Sequence, residues 1–155
     1  MKVISGGQTG VDRAALDAAL ACGLEIGGYC PAGRRAEDGR IPDRYPLVEM
    51  VGTDYQVRTR RNIEAADATL VLVTDDRQAQ TSGTRFTLTC LERGSRRRYL
   101  ALLGTPQAIP KAMGLIEGVA VLNVAGPRES KAPGIYRAAY DFLLELFCVA
   151  GRIPT

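Results

Sequence analysis

The sequence predicts an α/β fold, a mostly parallel sheet flanked by helices on both faces, and three observations carry that expectation. Short runs rich in β-branched and aliphatic residues alternate with helical patterns along the chain, the βαβα order that parallel strands with right-handed crossovers require. Residues 69–74 (Thr-Leu-Val-Leu-Val-Thr) are apolar without alternation, as in a strand buried on both faces. The first β-like run ends in a glycine-rich turn that feeds directly into a helical pattern. A chain of 155 residues suits one domain with a proper core and is too short for two of ordinary size.

The first strand is the short apolar run at residues 2–4, which leads into Ser5-Gly6-Gly7-Gln8-Thr9-Gly10-Val11-Asp12-Arg13. Such a corner aims backbone N–H groups and the positive end of a helix dipole at one point, and glycines let the backbone approach a ligand with no Cβ in the way. An anion site and an ordinary strand–turn–helix corner are both consistent with it. Thr9 and Asp12 read as a capping box. Ala14, Ala15, Leu16, Ala18, Ala19 and Leu20 then follow helical spacing up to a glycine stop at Gly23. A P-loop would need Gly-Lys-Ser/Thr where the chain has Gly10-Val11-Asp12. A dinucleotide fingerprint would need an acid at the tip of the second strand, where Gly27-Gly28-Tyr29-Cys30-Pro31 stands.

Residues 24–29 give a weaker second strand. Residues 31–46 form a long connection holding Arg34, Arg35, Glu37, Asp38, Arg40, Asp43 and Arg44, whose arginines either cover a polyanionic ligand or pair with the loop's own carboxylates. A helix follows at 55–66, with Arg58, Arg60 and Arg61 near its middle. After the strand at 69–74 and a loop at 75–83, Thr84 caps a helix running to about Arg93. Thr81-Ser82-Gly83-Thr84 sets hydroxyls and a glycine at that helix start, a second anion cradle unless Thr84 is only a cap and Gly83 only a turn. A buried strand at 99–103, a short helix at 107–116 and a strand at 119–124 complete the sheet. The exit 125–130 (Ala-Gly-Pro-Arg-Glu-Ser) either offers an arginine fork to a ligand or makes a surface turn. The final helix, 134–149, carries more apolar residues than one stripe needs. It is therefore buried deeply or meets another subunit on its second face, and a homo-oligomer is the reading taken.

Composition removes several classes of chemistry. The chain has no histidine, so Ser-His-Asp triads, Cys-His pairs and imidazole metal sites are absent, and catalysis would fall to carboxylates, arginine, hydroxyls or backbone dipoles. Cys22, Cys30, Cys90 and Cys148 form no Cys-x-x-Cys pair, so neither a zinc site nor a disulfide framework is expected, and the thiols read as mostly buried and reduced. A net charge of +3 is too mild for a nucleic-acid binder. No run approaches the roughly 20 apolar residues of a membrane span and the start lacks a signal-peptide pattern, so the expected location is cytoplasmic. In an open parallel sheet ligands sit beyond the carboxyl ends of the strands, and the segments 5–10, 31–46, 75–84 and 125–130 all leave strands on that edge.

Six runs carry a resemblance: SGGQTGVDRAALDAA from Ser5, IGGYCPAGRRAEDGRIPDRYPL from Ile26, YQVRTRRN from Tyr55, ADATLV from Ala66, TSGTRFT from Thr81 and NVAGPRES from Asn123. Together they are similar to the molybdenum cofactor carrier family, within the Rossmann-like superfamily that also holds the lysine-decarboxylase-like, cytokinin-activating hydrolases. The resemblance implies a Rossmann-like fold, a dimer or tetramer, and a small anionic ligand, molybdenum cofactor or a nucleotide-like anion, with no directly ligated metal. It implies a pocket with Gly6, Gly7, Gln8, Thr9 and Gly10 on one side, a phosphate cradle at Thr81, Ser82, Gly83 and Thr84, and Arg13, Arg58 and Arg61 as charge partners. A molybdoenzyme or a cofactor-synthesis protein would be the partner. The related hydrolases carry an acid three residues after the cradle threonine, where this chain has Thr87, so a binding protein is the leading expectation and a nucleotide-processing enzyme the alternative.

Overall fold

The computed structural model describes residues 1–151. Its centre is a sheet of five strands: β1 (Lys2–Ile4), β2 (Glu25–Gly27), β7 (Ala68–Val73), β8 (Arg97–Leu102) and β9 (Val121–Ala125). All pair in parallel, in the spatial order β2–β1–β9–β7–β8. The chain builds outward from β1 to β2, crosses over to build β7 and β8, and returns to insert β9 between the two halves. The register sets Val3 beside Ile26 and Leu122, and Leu70 beside Tyr99 and Val124. This is a Rossmann-like α/β architecture, as the alternation of elements predicts.

Helices α1 (Val11–Ala21), α4 (Ala108–Ile116) and α5 (Ile135–Ala150) cover one face, and α2 (Tyr55–Glu64) and α3 (Ser82–Arg93) lie on the other. The first face holds the main core, in which Leu16, Leu70, Leu72, Leu122, Leu143 and Leu146 are fully buried. The alanines of α1 allow it to lie close against α5, since Ala14, Ala15, Ala18 and Ala19 are fully covered. The second face has only a small apolar cluster, Ile63, Val71 and Leu91, with Leu88 and Cys90 packed against it. That thin packing leaves room between α2, α3 and the sheet.

Several local expectations change. The Thr9–Asp12 capping box does not form: Gly10 is the N-cap of α1 with no side-chain bond, and the Asp12 carboxylate accepts instead from the Gln8 N–H. Thr84 is not a cap; α3 starts at Ser82 behind Thr81, and Thr84 is buried inside its first turn. The strand expected to be buried at 99–103 is β8, a sheet edge paired only with β7, with Leu100 38% exposed. Helix α5 buries one stripe, Ile135, Ala139, Leu143, Leu146 and Phe147, and leaves Val149 exposed. Of the cysteines only Cys30 is buried; Cys22 and Cys90 are half-buried and Cys148 is exposed, all as free thiols. No helix among the described residues is long and apolar enough to cross a membrane.

The segment 31–46 has more order than a loop. After β3 (Tyr29–Cys30) it makes a 3-10 turn and a two-stranded hairpin, β4 (Arg35–Ala36) with β5 (Gly39–Arg40), and it ends at β6 (Val48–Glu49), which pairs with β3. Arg34 is buried at its centre and donates to the carbonyls of Ile41, Pro42, Tyr45 and Leu47 at 2.7–3.1 Å. Tyr45 and Tyr136 both donate to the Asp17 carboxylate at 2.6 Å, tying the segment to α1 and α5. Of the loop arginines, Arg40 pairs with the loop's own Asp43 at 2.6 Å, whereas Arg44 approaches Asp17 of α1 at 3.5 Å. Replacing Arg34 by Met orphans four carbonyls at the centre of the segment. It is expected to cost about 3 kcal/mol of unfolding free energy in urea titration. A loss under about 1 kcal/mol would show that water replaces the guanidinium without penalty.

Candidate functional site

The inserted β9 decides where a site can be. Strands β1, β9 and β7 lie side by side, so the three segments leaving their carboxyl ends, which begin at Ser5, Gly126 and Thr74, meet at the centre of the edge. Beneath them, on the thin α2/α3 face, lies a cavity of about 540 Å³. It is bounded by Gly6, Gln8 and Asp12, by the exposed start of α2, by the first turn of α3, and by residues 123–128 with Lys131.

One wall is an ion pair threaded over a glycine. A Cβ on Gly6 would sit 1.4 Å from Arg58 Nη1, so only glycine lets the guanidinium cross the turn. Arg58 Nη1 then donates to Asp12 Oδ2 at 3.1 Å, with the two side chains only 13% and 8% exposed. Burial pushes the Asp12 carboxyl above its ordinary range, against the lowering effect of Arg58 and of the Gln8 N–H. Gln8 is fixed in orientation, because its Oε1 accepts from the N–H groups of both Thr9 (3.0 Å) and Glu37 (2.9 Å). Its Nε2 is therefore the donor end, and it has no partner among the described residues.

The facing wall is the start of α3. The first backbone bond of that helix is Arg85 N–H to Thr81 O at 2.8 Å, which leaves the N–H groups of Ser82, Gly83 and Thr84 without helical partners. The buried Thr84 hydroxyl is also unpartnered among the described residues. Thr87, at the position where the related hydrolases carry an acid, turns its hydroxyl back onto the Gly83 carbonyl at 3.1 Å. Along the mouth, the guanidinium groups of Arg58 and Arg128 both lie over the Tyr55 ring, 5.7 and 5.8 Å from its centroid. Phe86 and Lys131 complete the rim. Asn62 is spoken for: it exchanges two bonds with the backbone of Tyr29 and so docks α2 on β3.

The structure brings together Gly6, Gln8, Arg58, Thr81, Ser82, Gly83 and Thr84 of the residues expected from the sequence. Gly7, Thr9, Gly10, Arg13 and Arg61 lie outside the cavity. Gly7, at φ +79°, is pressed against Ile41 and Leu47, and Gly10, at φ +80°, against the Pro127 carbonyl, so both glycines serve chain packing. The amides at the start of α1 are consumed inside the protein, Val11 by Pro127 O at 3.2 Å and Arg13 by Gln8 O at 3.1 Å. The Thr9 hydroxyl bonds to Glu37, and Arg13 makes a two-pronged bond to Asp38 at 2.7 and 2.9 Å. Arg61 is exposed, over the Tyr29 ring. Sequence reasoning missed Tyr55, Asn123 and Lys131 as lining residues. Their proximity follows from the insertion of β9, which no local pattern announces.

The model of the circularly permuted YpsA SLOG family matches residues 3–147 of the chain. No curated protein matches it. Among solved structures, the crystal structure of a "Putative molybdenum carrier protein" from Syntrophus aciditrophicus SB is similar, with 39% identity over 94% of this chain and 93% of that one, and a TM-score of 0.80.

The buried pair makes a pH-dependent prediction. Asp12 has its native pKa above the ordinary 3.8, so it favours the native state most below pH 3.8, and that contribution is lost as pH rises through the native value. The stability of the wild type relative to Asp12→Asn should therefore fall as pH is raised from 3.8. Chemical denaturation of both proteins across the acid range measures it. A difference that rises with pH would mean that Arg58 outweighs burial.

Proposed function

Since the chain belongs to the circularly permuted YpsA SLOG family, we propose that its cavity binds a small phosphorylated heteroaromatic molecule, molybdenum cofactor or a nucleotide derivative, and holds it for transfer. One observation carries this reading. The buried side-chain atoms without a hydrogen-bond partner among the described residues are Gln8 Nε2, Arg58 Nε and Thr84 Oγ1, and all three residues line this one cavity. Leaving a buried polar group unmade costs about 1–3 kcal/mol, so three around one space favour a ligand or solvent that completes them.

The N–H groups of Ser82, Gly83 and Thr84, at the positive end of the α3 dipole, receive the phosphate. Arg128 and Lys131 supply the compensating charge, and neither is in an ion pair among the described residues. Tyr55 and Phe86 offer ring faces to a planar group. Molybdenum cofactor, when bound, keeps its metal on its own dithiolene, so the protein's contacts fall on phosphate and pterin. A carrier of this kind acts as a dimer or tetramer and passes its cargo to a molybdoenzyme or cofactor-synthesis partner.

A second reading rests on Asp12. A buried carboxyl beside an arginine, lining a cavity with a phosphate cradle, is a candidate general acid for cleaving a nucleotide's glycosidic bond. Release of free base from a nucleotide panel, abolished by Asp12→Asn, would establish it.

Gly83→Asp separates binding from folding. A Cβ at Gly83 meets nothing within 4 Å, and an added carboxylate in the first turn suits the helix dipole while opposing a bound phosphate. The variant is expected to keep its thermal midpoint and to lose at least about tenfold in affinity for phosphate-bearing nucleotides and pterins by titration calorimetry. Unchanged affinity would remove the start of α3 from the site.

A further inference from the structure

Resting on that reading, we infer that the ligand carries two oxygen acceptors, its phosphate and an uncharged oxo oxygen on the ring, and that Gln8 and Arg58 select for the second. The unpartnered atoms differ in what they demand. Thr84 Oγ1 belongs with the amides of α3 and the phosphate. Gln8 Nε2 and Arg58 Nε are N–H groups with no acceptor capacity, and the orientation of Gln8 is fixed by its two bonds to Thr9 and Glu37, so only an acceptor satisfies them.

The two donor sets belong to different elements lining the cavity: Gln8 is on the turn after β1 and Arg58 on α2, whereas the free amides of Ser82, Gly83 and Thr84 open α3. The Arg58 guanidinium is already paired with Asp12, so the Gln8 end offers N–H donors without an unpaired cation and suits a neutral oxygen of the lactam type.

Inosine 5′-phosphate and adenosine 5′-phosphate test this, because they are nearly isosteric and differ along one ring edge, an oxo acceptor beside an N–H donor in the first and an amino donor beside a ring-nitrogen acceptor in the second. Titration calorimetry on the full chain is expected to show the oxo nucleotide binding about tenfold tighter or more. Gln8→Glu keeps the acceptor for Thr9 and Glu37 but exchanges the donor for an acceptor, and should abolish or reverse the preference. Arg58→Lys, which lacks an Nε–H at that point, should reduce it without touching Gln8. Gly83→Asp should weaken both nucleotides alike. Equal affinities, a preference for the amino nucleotide, or a preference that survives both Gln8→Glu and Arg58→Lys would overturn the inference while leaving phosphate binding in place. If neither nucleotide binds, phosphate-ligand binding fails and the inference falls with it.

Discussion

The arrival of β9 between β1 and β7 is the constraint from which the carboxyl edge follows. Inserted between them, β9 sends its exit segment directly over the start of α1. The approach is tight: a Cβ on Gly126 would meet the Leu72 carbonyl at 2.5 Å and Val11 at 2.6 Å. Pro127 then accepts the Val11 amide. The Glu129 side chain turns the other way and caps α5 through the amides of Gly134 and Tyr136, at 2.6 and 2.9 Å. One segment thus closes one helix start, caps another and roofs the cavity.

That arrangement explains why two similar motifs have different fates. Both Gly-rich starts present the same local pattern of small and hydroxyl residues before a helix. Around α1, the neighbouring chain supplies acceptors: the Pro127 carbonyl, the Gln8 side chain and the Asp12 carboxylate. At the start of α3 the first amides meet no acceptor among the described residues, and a Cβ on Gly83 would meet nothing within 4 Å. A helix dipole is local, but its use by an anion depends on what else competes for the same amides. The competitor of α1 lies more than a hundred residues away in sequence.

The same distinction sets how much was legible. The alternation of elements, the double burial of β7 and the meeting of loops at one edge follow from periodicity and the parallel-sheet rule, and they hold. Gln8 and the segment from Thr81 to Thr84 line the cavity because small-residue exits from parallel strands meet at the carboxyl edge, whereas Arg58 was implied only by the family resemblance. The capping role given to Thr9 and Asp12 failed for a tertiary reason: Asp12 finds Arg58 from α2, and Thr9 finds Glu37 from the hairpin. Arg13 has the same explanation, since Asp38 offers its guanidinium a two-pronged partner at the molecular surface. Local spacing cannot reveal which acid an arginine will meet.

Charge satisfaction also separates scaffold from site. The arginines and acids of the 31–46 segment bind each other, backbone carbonyls or α1, and such pairs order the chain without needing a ligand. The Asp12–Arg58 pair is different. Two buried ions cost several kcal/mol of desolvation each, which their attraction seldom recovers unless the remaining donors are also satisfied. Here Arg58 Nε has no partner among the described residues, and neither has Gln8 Nε2. A purely structural ion pair would be expected to close that valence with a carbonyl, as Arg34 does four times over in the neighbouring segment. The same chain satisfies one buried guanidinium completely and leaves another open where it borders a cavity, and a bound acceptor accounts for that contrast.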